Sequence, residues 1–115
     1  MGNKTKTVTT DNSKPSHLAV PSRREAQQAF LDSLSDSQKE KQVTSNFLEM
    51  ADIVLKGYQS VSANDLVFLS KYRNNDPQQI QKLFALWAAK MVELGQLQKV
   101  KESCYDYDVF LNPFV

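Results

Sequence analysis

Apolar residues recur along this chain at three- and four-residue spacings as far as Leu94, and largely at two-residue spacings after it. The first period predicts helices and the second predicts strands. Residues 1–20 show neither period. They are mostly Lys, Thr, Asn, Ser and Pro with scattered Val and Leu, which predicts a flexible basic tail ahead of one domain over 21–115.

Helix starts are marked by residues that satisfy orphan backbone N–H groups. Ser22 with Glu25 three positions on has capping-box spacing and predicts a first helix over 22–33. Ser35 with Gln38, or Ser37 with Glu40, repeats the device. Gly57 after Lys56 supplies a left-handed stop, which frames a second helix over 36–56. Within it Val43, Phe47, Met50 and Val54 form one stripe, with Tyr58 near its end. Ser62 with Asp65 opens a third helix over 62–73, in which Leu66, Val67, Phe68, Leu69 and Tyr72 leave so little polar face that a central position is expected. Asn74-Asn75-Asp76-Pro77 then reads as a tight junction, with Asn tolerating left-handed backbone, Asp as N-cap and Pro at the first helical position. The fourth helix, 77–94, ends at Gly95. Beyond it a hairpin is expected, with its turn near Glu102-Ser103-Cys104. In its second strand Tyr105, Tyr107, Val109 and Leu111 share the core face until Asn112-Pro113 ends the ladder. The fold class is therefore mainly α with a small C-terminal β-hairpin.

Composition narrows the chemistry. With 41% hydrophobic residues in 115, the chain can bury one modest core, and no run approaches the roughly 18 apolar residues of a membrane span. The N-terminal MGNKTKTVTT lacks a secretory apolar region, and Lys6 stands where a myristoylation signal has Ser or Thr. A cytoplasmic location is the simplest expectation. Cys104 and His17 are each the sole residue of their type, which removes disulfide frameworks, the usual zinc ligand sets and Cys–His catalysis. No acid, base and nucleophile converge, so no enzyme, cofactor, metal or small-molecule substrate is expected. Asp106 and Asp108 share one strand face, but as edge-strand acids they read as protection against edge pairing.

The order helix, helix, three-residue turn, helix and hairpin over residues 36–111 resembles the winged-helix family of helix-turn-helix domains. The resemblance rests on Asn74-Asn75-Asp76, the Asp76-Pro77 cap, the series Ile80, Leu83, Phe84, Trp87, and Leu94-Gly95-x-Leu97 leading into the wing. It implies a winged-helix domain preceded by an extra helix and a disordered tail. Many members bind DNA and others only join protein complexes.

The fourth helix is the place where those functions divide. Turning by 100° per residue, Ile80, Leu83, Phe84, Trp87, Met91 and Leu94 form a core stripe. The opposite face shows Gln78, Gln81 and Lys82 in its first half, and Ala85, Leu86, Ala89, Val92 and Glu93 in its second. Early residues of recognition helices reach base edges, and Gln can bond adenine twice; Gln and Lys are equally ordinary on a solvated helix. The small apolar face fits a dimer or partner helix, or else a covering by the first helix through Ala26, Phe30 and Leu34.

Charge is patterned by segment: residues 1–25 carry +3, residues 26–57 carry −2 and residues 58–115 are neutral, for a formal +1 overall. The leading expectation is a small non-enzymatic winged-helix DNA-binding protein, a transcription regulator or accessory factor acting as a dimer. Lys82, Lys99, Lys101 and the tail would anchor phosphates, Arg73 would lie near the turn, and Gln78 and Gln81 near base edges. The alternative is a protein-interaction module or inhibitor that uses the same scaffold without DNA, through Ala85, Leu86, Ala89 and Phe114.

Overall fold

The computed structural model describes residues 20–115, so the expectations for the basic tail and for His17 lie outside the described residues. Five α-helices and three very short strands follow in the order α1 (Arg23–Asp32), α2 (Asp36–Lys39), α3 (Gln42–Gly57), β1 (Ser60–Val61), α4 (Ala63–Ser70), α5 (Pro77–Glu93), β2 (Gln98–Lys99) and β3 (Phe110–Leu111), with a 3-10 turn at Lys71–Arg73 between α4 and α5. The molecule is mainly helical with a small antiparallel sheet in the order β1-β3-β2.

The caps form where the sequence places them. Ser22 Oγ accepts from the Glu25 N–H at 3.1 Å, and Glu25 accepts from the Ser22 N–H at 2.9 Å. Ser35 and Gln38 close the same reciprocal box on α2. At α4, Asp65 accepts from the Ser62 N–H at 2.8 Å. Helix α5 ends on Gly95 at φ 78°, with Gly95 N–H donating to Val92 O and Gln96 N–H to Met91 O. This pair of bonds is the Schellman closure that a left-handed residue makes possible. A Cβ at Gly95 would also lie 3.3 Å from the Val20 side chain, so close approach adds to the backbone demand.

Four expectations fail. The helix expected over 36–56 is two helices, because Lys41 takes an extended backbone at φ −75°, ψ 140° and restarts the chain. Residues 35–42 carry no apolar side chain to hold a continuous helix against the core, so the chain turns there instead. Gly57 is not left-handed: the helix runs through it and leaves by Tyr58 in extended conformation. The third helix is not central, since Leu66 is buried while Phe68 and Tyr72 are 54% and 80% exposed. The expected second strand does not begin after a turn near 102–104: β3 is only Phe110–Leu111, residues 101–108 form an irregular connection, and a third strand joins the sheet. Phe110 is buried while Tyr105, Tyr107 and Leu111 are exposed, and β1 pairs with β3 through Ser60↔Leu111 and Val61↔Phe110.

One hydrophobic cluster holds these elements together. Phe30 of α1 lies 6.1 Å from Phe47 of α3, which meets Trp87 of α5 at 5.8 Å; Trp87 meets Phe84 at 5.8 Å, and Phe84 meets Phe110 of β3 at 5.7 Å. Tilted and edge-on geometries of this kind add to the area buried. The Trp87 indole N–H donates to Gln27 Oε1 at 2.7 Å, and the Gln27 amide donates to Leu48 O at 3.1 Å, so the polar atom of the largest core side chain is satisfied from α1. Phe30→Ala is expected to lower unfolding stability by about 3–5 kcal/mol, because it deletes a fully buried ring that links α1 to the core. Urea denaturation followed by Trp87 fluorescence measures this.

Candidate functional site

Helix α5 is positioned by its own start. Asn74 sits in left-handed conformation at φ 55°, ψ 41°, and Asp76 Oδ1 accepts from the Gln78 N–H at 3.0 Å, with Pro77 at the first helical position. The Asn46 amide donates to Asn75 Oδ1 at 3.3 Å and ties the turn to α3, while Asn75 Nδ2 is buried without a partner. Ile80, Leu83, Phe84, Trp87, Ala88 and Met91 face the core. Gln78, Gln81, Lys82, Ala85, Leu86, Ala89 and Val92 are left on the outer side, all exposed.

Two grooves flank this outer face. Toward the sheet, a groove of about 550 Å³ has Phe84, Ala88 and Phe110 in its floor and Ala85, Ala89, Val92, Tyr107 and Lys99 along its sides. On the other flank, a cavity of about 390 Å³ lies between α5 and the end of α1, lined by Leu34, Leu86, Ala89 and Glu93 among others. Leu86 also borders a smaller hollow of about 200 Å³ with Lys41, Gln79 and Lys82. Leu86 is 51% exposed and Val92 38%, so α1 does not cover this face. Of the three residues expected to cover it, Ala26 and Phe30 are fully buried in the core, with Phe30 against Phe47 of α3, and Leu34, also buried, borders the face only at the cavity beside Leu86 and Ala89.

The cations expected to gather here divide. Lys82 and Lys101 are exposed and form no ion pair among the described residues. Lys99 lies 3.7 Å from Asp108, two residues ahead of the facing strand β3. Arg73 lies 3.7 Å from Glu49 and borders a different groove, shared with Arg23, Arg24, Asp52 and Lys56. Phe114 is 63% exposed, but it follows β3 and borders neither groove beside α5.

At the hairpin, Tyr105 and Tyr107 stack on each other with centroids 4.9 Å apart and planes 14° apart. Their expected core position is corrected: both lie in the irregular connection ahead of β3 and are exposed, and the core place on this side is taken by Phe110 against Phe84. Partial desolvation is the largest cause that holds the Tyr107 hydroxyl above the ordinary tyrosine range; an ionised Tyr105 and the carboxylates of Asp106 and Asp65 add to it. Phe68 of α4 and Tyr72 of the 3-10 turn that follows make a second exposed aromatic pair, with Lys71 Nζ 5.2 Å from the Phe68 ring centre. Their four-residue spacing was the available signal for a shared face, read in the sequence as core. Cys104 is exposed and free. No group of three or more His, Cys, Asp or Glu side chains among the described residues could hold a metal ion. No described helix is long and apolar enough to cross a membrane.

Compared with known proteins, the chain matches no family model, and no curated protein or solved structure matches it.

The Arg23 groove gives a titration test. Asp52 accepts from Arg23 Nε at 2.7 Å and lies 3.2 Å from Lys56 Nζ. Burial opposes its charged form, but the hydrogen bonds and charges of Arg23 and Lys56 outweigh burial and hold the carboxyl below the ordinary aspartate range. A depressed native pKa contributes stability above the unfolded value and loses it as pH falls through the native one. The Arg23 and Asp52 side chains are 39% and 34% exposed, so solvent screens the pair. Asp52→Asn is expected to cost no more than about 1 kcal/mol at neutral pH. Paired urea titrations should show that difference closing as pH falls below about 4.

Proposed function

We propose that this chain is a non-enzymatic winged-helix protein-interaction module that docks a partner on the outer face of α5. The observation that carries this reading is the uncovered apolar surface formed by Ala85, Leu86, Ala89 and Val92, with a groove on each flank. Contiguous apolar surface bordered by polar residues is what partner sites present. The winged-helix assignment is supported by the succession α3, β1, α4, α5, β2, β3 together with the strand order β1-β3-β2, in which the strand after the first helix of the unit pairs with the last strand.

The electrostatics favour docking over DNA. Lys99 is matched by Asp108, and Arg73, expected near the turn, by Glu49, which leaves Lys82 and Lys101 without a carboxylate among the described residues. Phosphate neutralisation supplies most non-specific affinity, so two unpaired lysines at these positions give the described α5 and wing little to bind DNA with. DNA binding stays a second reading because of one observation. The first half of α5 exposes Gln78, Gln79, Gln81 and Lys82 with no acid after the Asp76 cap, and Lys41 borders the same hollow as Lys82.

Two measurements separate these readings. Benzoylphenylalanine at position 85, photolysed in cells that express the full chain, should give a discrete adduct that is absent with the probe at the exposed Gln28 of α1 and lost in Leu86→Glu. Absence of any adduct at position 85 would remove the docking reading. Leu86→Glu itself should shift folding stability by no more than about 0.5 kcal/mol, since the side chain is half-exposed. Anisotropy of labelled duplex DNA across a salt series should show only weak binding by the full chain, with a shallow log–log slope. Tight binding with a slope near −0.9 per contacted phosphate would instead favour the DNA reading.

A further inference from the structure

Resting on the docking reading, we propose that the partner seated on α5 is a second copy of this chain, packed antiparallel across a two-fold axis so that Leu86 meets the partner's Ala89 and Lys82 meets the partner's Glu93.

The seam is set by spacing. Lys82, Leu86, Ala89 and Glu93 follow one another at intervals of four, three and four, the alternation that keeps one line of side chains facing a neighbouring helix. All four are exposed on the side of α5 turned away from Ile80, Trp87 and Met91. A two-fold axis crossing α5 between Trp87 and Ala88 relates positions equally far to either side of it. Under that one register Leu86 falls opposite the partner's Ala89 and Lys82 opposite the partner's Glu93. Each contact occurs twice, as an isologous interface requires.

Charge selects the direction. Lys82 lies toward the N-terminal end of the seam and Glu93 at its C-terminal end, with the apolar pair between them. A parallel pair about a two-fold axis would set lysine against lysine and glutamate against glutamate. The antiparallel pair sets each against its opposite. Lys82 has no ion-pair partner among the described residues. Glu93 lies 3.5 Å from Lys90, yet its side chain is 66% exposed and keeps an oxygen open to a second cation. Glu93 also stands at the negative end of the α5 dipole, where a cation from the facing copy relieves the mismatch.

Shape agrees with charge. Ala89 presents only a methyl group, which lets two helix axes approach to about 8 Å. The cavity of about 390 Å³ bounded by Leu34, Ala89 and Glu93 lies where the facing Leu86 arrives, so the one large exposed residue of the seam has a receptor on the other copy.

Sedimentation of the full-length chain from about 1 µM to about 1 mM should show its mass rise from 13.1 kDa toward twice that value. Lys82→Glu and Glu93→Lys should each weaken the dimer about ten-fold, as loss of two exposed pairs per dimer implies. The double variant Lys82→Glu/Glu93→Lys should return it close to wild type, and Leu86→Glu should abolish it. These positions face solvent in the single chain, so thermal melts of the variants should match wild type. A species that stays at 13.1 kDa at the highest concentration, or a dimer that the double variant does not rescue, would overturn the proposal. The docking reading fails separately. An adduct at position 85 with a mass other than twice the chain would leave docking standing and exclude the second copy, whereas no adduct would remove both.

Discussion

A continuous run of aromatic contacts, Phe30 to Phe47 to Trp87 to Phe84 to Phe110, is the constraint on which the other features depend. It crosses from α1 through α3 and α5 to β3, so it fixes which face of each element points inward. Trp87 stands at its middle, and the N–H that would otherwise be stranded in an apolar interior is held by Gln27. Because α1 places Phe30 in this run and buries Ala26 in the same core, it is not free to lie over the outer side of α5. The exposed Ala85, Leu86, Ala89 and Val92 are therefore a consequence of where the core is anchored.

Much of the architecture was legible in local residues. Ser22 with Glu25, Ser35 with Gln38, Asp76-Pro77 and Gly95 act within a few positions of themselves, and each caps as its chemistry dictates. What was not legible depends on meetings far apart in the chain. The hairpin phase is set by Phe110 finding Phe84 and Val61, which the alternation of Tyr105, Tyr107, Val109 and Leu111 does not reveal. The strand at Ser60–Val61 is too short to carry a period and exists because β3 arrives beside it. The exposure of Phe68 and Tyr72 has the same origin, since α4 turns Leu66 inward and needs no second apolar face.

For the site, the outer residues of α5 were legible from helical rotation alone. The fate of the charges was not. Segment totals placed Lys99 and Asp108 in one neutral stretch, but only the pairing of β2 with β3 brings them within 3.7 Å. Arg73 adjoins the turn in sequence, yet its guanidinium reaches back to Glu49 on α3. Side-chain direction, which sequence spacing does not encode at a 3-10 turn, decided that outcome. The surface that remains is polar and cationic toward the start of α5 and, through Ala85, Leu86, Ala89 and Val92, more apolar toward its end.

Asn112 gives the topology a further consequence. Its amide donates to Leu55 O at 2.8 Å, its N–H donates to Gln59 O at 2.8 Å, and its own oxygen accepts from the Phe114 N–H at 3.0 Å. At the other end the Gln96 amide donates to Pro21 O at 2.6 Å. The bonds to Leu55 O and Pro21 O join residues 57 and 75 positions apart, whereas the caps and helical turns join residues two to four apart. Loop-closure entropy opposes the former long before their contacts reward it, and the latter form with little chain to gather. Asn112 is thus less a brace than a latch: it closes at little entropic cost only once the helices have already brought its partners together.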